Sequence, residues 1–148
     1  MRQTYKIIFL FTCLLFVTAF LLHFLWEYLH YVLYICDVER LTCALVAALV
    51  DAFITLGIYY FFSGPYHDFV WFRRFSVRKI FLLLLVGFFI AYLIELRGLY
   101  FARWSYSALM PLIPVLQVGV SPIMQMMILP LVSLLISRFL LRVFEKIY

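Results

Sequence analysis

An all-α bundle of four membrane-spanning helices is the fold this sequence predicts, and three observations predict it. Of 148 residues, 68% are hydrophobic and 13% charged, whereas a soluble domain carries about a quarter charged residues and under half apolar ones. The apolar residues fall into four runs of roughly 20 residues or more, each able to cross ~30 Å of hydrocarbon at ~1.5 Å rise per residue. The basic residues gather at the ends of those runs. A soluble domain of this size buries only about two thirds of its surface, so lipid must solvate the remaining apolar side chains.

The first run follows Arg2 and Lys6 and predicts a helix over about 7–35. A basic start before an apolar stretch also resembles a secretory signal. This run is longer than a signal's apolar core and lacks a small-x-small cleavage site, which predicts a retained helix. The second helix is expected over about 41–62, ended by the turn signal Ser63-Gly64-Pro65. The third is expected over about 80–100 and the fourth over about 122–144, with Pro130 as a kink. No internal repeat divides the chain, so residues 1–148 read as a single transmembrane domain.

The segment between helices 3 and 4 breaks the pattern. It holds Trp104, Tyr106, Pro111, Pro114, Gly119 and Pro122 among apolar residues. Its prolines disfavour a helix, while its leucine, isoleucine and valine disfavour a free aqueous loop. Two alternatives remain: a partly inserted, re-entrant lid covered by protein, or an ordinary exposed hairpin.

Charge gives the orientation. If the N-terminus is cytoplasmic, nine of the twelve basic residues fall on that side: Arg2, Lys6, Arg73, Arg74, Arg78, Lys79, Arg138, Arg142 and Lys146. Arg40, Arg97 and Arg103 fall on the other. The positive-inside rule then predicts both termini in the cytoplasm of a bacterial inner-membrane protein, with loops 36–43 and 97–121 outside. Trp26 and Trp104 would mark the outer interface and Trp71 the inner one, and Tyr28, Tyr31 and Tyr34 read as an aromatic belt, with Tyr31 able to reach the polar residues below. A net charge of +5 placed beside apolar runs points to lipid headgroups rather than nucleic acid. His67 and Asp68 read as a solvated loop.

Ionisable residues within membrane helices are costly and usually face the bundle interior, which makes them the best functional pointers. His23, Glu27 and His30 are spaced i, i+4, i+7 and share one face of helix 1. Asp51 lies about 13 Å below the start of helix 2 at Thr42, beside Ala47, Ala48, Thr55 and Tyr59. Helix 3 carries Glu95 about a turn before its end, followed by Arg97 and Arg103, and helix 4 brings Gln125 to a similar level. Four readings of this convergence stay open. The groups pair to fix helix register; they form an acid–base site, with a histidine relaying the proton of a carboxyl group in a low-dielectric pocket; they bind a metal ion through histidine and carboxylate; or they conduct protons or ions. No established metal signature is present, so no cofactor is expected. Cys13 reads as a packing residue, and Cys36 and Cys43 bracket a loop where a disulfide would form in an oxidising compartment.

The stretch Glu95, Gly98, Tyr100, Arg103-Trp104-Ser105-Tyr106 and Gly119-Val120-Ser121-Pro122 resembles membrane carotenoid-modifying proteins of the lycopene cyclase and carotenoid hydratase type. The resemblance covers about residues 95–122, and the paired proline-glutamate-glutamate cyclase motif is absent. It implies acid chemistry on an apolar polyisoprenoid, with Glu95 at the matching position.

The sequence thus predicts a small membrane enzyme acting on a lipid or isoprenoid. Glu27, Asp51 and Glu95 are the candidate acids and bases, His23 and His30 the proton relays. Arg97, Arg103, Trp104, Tyr106 and Gln125 are the candidate substrate contacts, the arginines for an anionic headgroup. The rival expectations are a non-enzymatic subunit or scaffold, self-associated or bound to a membrane partner, and a proton- or ion-coupled transporter.

Overall fold

The computed structural model describes residues 2–35, 37–64 and 68–147. Cys36, Tyr66 and His67, and with them the expectations of a Cys36–Cys43 bridge and of a solvated His67, lie outside the described residues. Four helices dominate: α1 (Arg2–His30), α2 (Arg40–Ser63), α3 (Val77–Tyr100) and α4 (Val120–Ile147). Each is long and apolar enough to cross a membrane, and together they form the expected all-α four-helix bundle of a membrane protein.

Boundaries differ from expectation mainly in α1. The helix starts before the apolar run and ends at His30, not near residue 35. Residues Tyr31–Leu33 tighten into a 3-10 turn, and Tyr34–Ile35 (β1) pair antiparallel with Ser105–Tyr106 (β2). The apolar pattern of 31–35 could not reveal this, because pairing with a distant strand withdraws these residues from the helix. At the other end α3 starts earlier than expected, at Val77, where the Ser76 hydroxyl accepts a bond from the Lys79 amide as an N-cap.

The helices pack in the cyclic order α2, α1, α4, α3. The buried face of α1 runs Phe11, Leu15, Ala19, His23, His30, and that of α2 runs Ala44, Ala48, Ala52, Thr55, Tyr59, Ser63. Small side chains at four-residue spacing let backbones approach closely, as membrane interfaces favour. By contrast α2 and α3 barely touch. That gap is the feature on which the site depends.

One end of the bundle, where the basic residues gather, is filled. Phe11, Leu15, Ile58, Tyr59, Trp71, Phe72, Leu83, Leu134 and Leu141 form a continuous apolar cluster. Phe72 stacks on Phe11 with ring centroids 3.5 Å apart. Trp71 is 3% exposed and donates its indole N–H to Ser63 Oγ at 3.0 Å. It is therefore a core residue and not the interfacial marker expected, because the α2–α3 connection folds back between the helices.

At the opposite end, residues 101–119 fold over the bundle. Leu112 and Gly119 form an isolated bridge, and Val118 packs with Ala91, Ile123 and Met126 in a second apolar cluster. Met110 and Val118 of this segment are buried, whereas Phe101, Leu109, Leu112 and Val115 are exposed; Pro114 lies in a turn and Pro122 in the first turn of α4.

Pro130 sits inside α4. Its missing N–H leaves the Met126 carbonyl without its helical donor, and α3 approaches that carbonyl so closely that a Cβ on Gly87 would overlap it. Gly87→Ala should therefore force α3 away from α4 and lower stability by roughly 1–3 kcal/mol, as overpacking does. Thermal unfolding in detergent measures this; an unchanged midpoint would show that the helices separate without strain.

Candidate functional site

Between α2 and α3, at the end away from the basic residues, lies a cavity of about 610 Å³. Glu27, Asp51, Glu95 and Gln125 all line it. Val46 and Val50, which are 59% and 51% exposed, line it from α2.

One wall is a hydrogen-bonded network drawn from α1, α2 and α4. The Gln125 amide nitrogen lies 2.8 Å from Glu27 Oε1, 3.0 Å from Asp51 Oδ2 and 3.1 Å from His23 Nδ1. An amide nitrogen has two hydrogens, so two of the three neighbours accept. The carboxylates take them, because His23 Nδ1 also lies 3.2 Å from Asp51 Oδ2 and donates to it. That assignment leaves His23 Nε2 to accept from the Thr55 hydroxyl at 3.4 Å. His23 is wholly buried, as is Thr55.

The network continues toward the bundle end. His30 Nε2 donates to Glu27 Oε2 at 2.9 Å, and the Ser121 hydroxyl donates to His30 Nδ1 at 2.8 Å. Ser121 in turn accepts from the Trp26 indole at 3.3 Å. Hydrogen bonds thus run without a break from Trp26 to Thr55. The spacing i, i+4, i+7 on α1 brings this about by aligning three side chains against one strip of α4. Glu27 and Asp51 retain 16% and 14% exposure, while His30 retains 8% and His23 none. The carboxyl groups face the cavity and the imidazoles stand behind them. Chemically, this is a pair of carboxyl groups, each backed by an imidazole, on one wall of the chamber.

The opposite wall carries Glu95, and it behaves differently. Glu95 is 4% exposed and accepts from three donors: the Tyr34 hydroxyl at 3.2 Å, the Trp104 indole at 3.4 Å and the Tyr106 hydroxyl at 2.5 Å. The Tyr106 oxygen accepts from the Gly119 amide at 2.9 Å. Glu95 therefore ties α3 to the α1–α2 connection and to the covering segment 101–119, in register with the β1–β2 pair. The Trp104 ring lies directly over Gly98, where a Cβ would overlap it. Burial and then the neighbouring Glu95 charge push the Tyr34 phenol up from its usual range, and burial and then the bond to Glu95 do the same to Tyr106.

All ten sequence-predicted residues lie in this region. The structure brings His23, Glu27, His30, Asp51 and Gln125 into one network, and Glu95, Trp104 and Tyr106 into a second. Arg97 and Arg103 are exposed and line the cavity. Among the described residues neither has a carboxylate partner; the ion pair of an arginine there is Arg73 with Glu145, at the far end. Arg40 instead lies over the Tyr28 ring and donates to the Tyr28 carbonyl. Sequence reasoning missed Tyr34, Thr55 and Ser121. Thr55 carried a signal, lying four residues from Asp51 on one face; Tyr34 and Ser121 did not, because a turn and a helix start place them. Tyr31 donates to the Val38 carbonyl at 2.7 Å rather than to the network. Among the described residues no group of three or more His, Cys, Asp or Glu side chains is placed to hold a metal ion.

Compared with protein-family models, curated proteins and solved structures, the chain has no match in any of the three.

Two outcomes follow for the Glu95 clasp. Tyr106→Phe leaves the Gly119 amide and one Glu95 oxygen short of a partner and should cost about 1–3 kcal/mol, read as a lowered unfolding midpoint. The raised phenols set the pH dependence. Below pH ~10 folded and unfolded chains both keep the tyrosine protons, whereas above it the unfolded chain releases them and the folded chain does not. Stability should therefore fall as pH rises past ~10, and less steeply in Tyr106→Phe than in the parent. Equal slopes in alkaline unfolding curves would remove Tyr106 from that account.

Proposed function

We propose that this chain is a small membrane-embedded enzyme that carries out acid–base chemistry on a lipid reaching the site sideways, between α2 and α3. The observation that carries this reading is the cavity wall. Two partly exposed carboxyl groups, Glu27 and Asp51, face a chamber of about 610 Å³, a volume in the range of ligand sites, and each is backed by a buried imidazole. A carboxyl group so placed gives a proton to a bound molecule or takes one from it, and the histidine behind it restores the proton without exposing a bare charge to the apolar surroundings. His23 serves Asp51 and His30 serves Glu27, while Gln125 holds the two carboxyl groups side by side.

In this reading Glu95 is a positioning residue. Its oxygens are taken by three donors, and it fixes Trp104 and Tyr106 over the end of the chamber. The likeness of residues 95–122 to carotenoid-modifying proteins favours an isoprenoid among the lipids. With the basic end in the cytoplasm, the chamber opens to the outer leaflet.

Asp51→Asn keeps the size and the hydrogen bonding of the side chain while removing its proton chemistry. The variant should accumulate and unfold as the parent does, yet lose turnover by about a hundredfold or more. Comparing the lipids of membranes carrying parent or variant by mass spectrometry supplies the readout. If the variant folds and the lipid profile matches that of the parent, catalysis by Asp51 is ruled out. If Asp51→Asn and Glu27→Gln both prevent folding, the network is structural glue, as the scaffold reading holds.

A further inference from the structure

The arginines at the rim specify the occupant further. Arg97 closes the last turn of α3 and Arg103 follows the covering turn. Both line the cavity, both are exposed, and among the described residues neither meets a carboxylate. Arg40, on the same side of the bundle, is held by Tyr28 and does not line the cavity. Two guanidinium groups without a carboxylate partner therefore stand on the lining of a chamber that also borders the exposed Val46 and Val50 of α2.

A carboxylate-lined chamber repels an anion unless cations compensate it. The rim supplies two, and a planar guanidinium binds phosphate oxygens with paired hydrogen bonds. We propose that the occupant is a lipid with a phosphate headgroup, held at the rim by Arg97 and Arg103, with its chain leaving the protein between α2 and α3. The inference rests on the lateral-access reading above and names its substrate class.

The geometry also fixes which part of such a lipid meets the acids. Along α2 the cavity wall runs from Thr42 to Asp51, nine residues and thus about 13 Å. Asp51 lies at the deep end of that span, so in this proposal it faces the part of the lipid next to the headgroup and not the phosphate itself. Arginines and carboxyl groups then act on different portions of one molecule, which resolves the charge conflict between them.

The test uses the full-length protein in a nonionic detergent. Phosphatidic acid and diacylglycerol with the same acyl chains are offered in turn, and retained lipid is counted by native mass spectrometry. Phosphatidic acid should be retained at least about tenfold more strongly, the effect of a charge-assisted hydrogen bond or two. Excess inorganic phosphate, which lacks the chain, should not displace it. The double variant Arg97→Gln/Arg103→Gln should bind both lipids alike with unchanged thermal unfolding, while Arg40→Gln keeps the preference. Equal retention of the two lipids by the parent overturns the proposal, as does a preference that survives in the double variant. Displacement by inorganic phosphate overturns it in favour of a soluble ligand. Val46→Trp, which fills the lateral opening, separates the two levels of inference. If it blocks retention while the arginine variants change nothing, lateral access stands and the headgroup assignment falls; if no lipid is retained in any form, both fall.

Discussion

A polar group inside a membrane bundle has no water to turn to, so it must find its partner on another helix or reach an opening. Gln125 is where this constraint is met. Its single amide nitrogen gives one hydrogen to α1 through Glu27 and one to α2 through Asp51. The acidic side chains of two helices thereby share a donor from a third. Without it, two carboxyl groups and a histidine would crowd one another in an apolar medium with too few hydrogens among them. Helices α1 and α4 are central to the packing: α1 touches α2 and α4, and α4 touches α1 and α3.

Helix α3 stands outside this network. It is held to α4 by close backbone contact at Gly87 and at its far end by the Glu95 clasp. Neither attachment pulls it toward α2. At the basic end Trp71 and Phe72 occupy the space between the helices, whereas at the other end Tyr31, Tyr34 and Trp104 line the space without filling it. The cavity is thus the consequence of two features of the chain: a connection rich in aromatic residues that wedges one end, and a covering segment tied to α3 rather than to α2. Its wall is polar where α1, α2 and α4 meet and again at Glu95, Arg97 and Arg103.

Much of this was legible in the sequence. Four spans follow from run length and composition alone, since no other fold satisfies so apolar a chain. The convergence of His23, Glu27, Asp51 and Gln125 was also readable, because helical periodicity and depth from the span ends are both fixed by a regular 1.5 Å rise. What was not legible depends on contacts between residues far apart in the chain. Tyr34 reads as the last turn of a helix but is drawn into a strand pair with Tyr106, and Glu95 looks like a fellow of Glu27 until its three donors are seen. Trp71 reads as an interfacial residue by composition, whereas its burial depends on how residues 68–76 fold back. Depth can be counted along a helix, but rotation and long-range pairing cannot.

The filled end also bears on how the polar network can act. A transport path needs polar groups or water at successive depths, whereas below Thr55 the centre of the bundle is occupied by Phe11, Leu15, Phe72 and Leu134. Thr18 and Ser137 bond to each other at 2.7 Å within that half, a local pair rather than a link to His23. In the proposed reading, protons exchanged by Glu27 and Asp51 have their short route through the cavity side, and the molecule enters and leaves through the gap between α2 and α3. The exposed valines of that gap face lipid, so the molecule with least to lose on entering is one whose tail is already dissolved there.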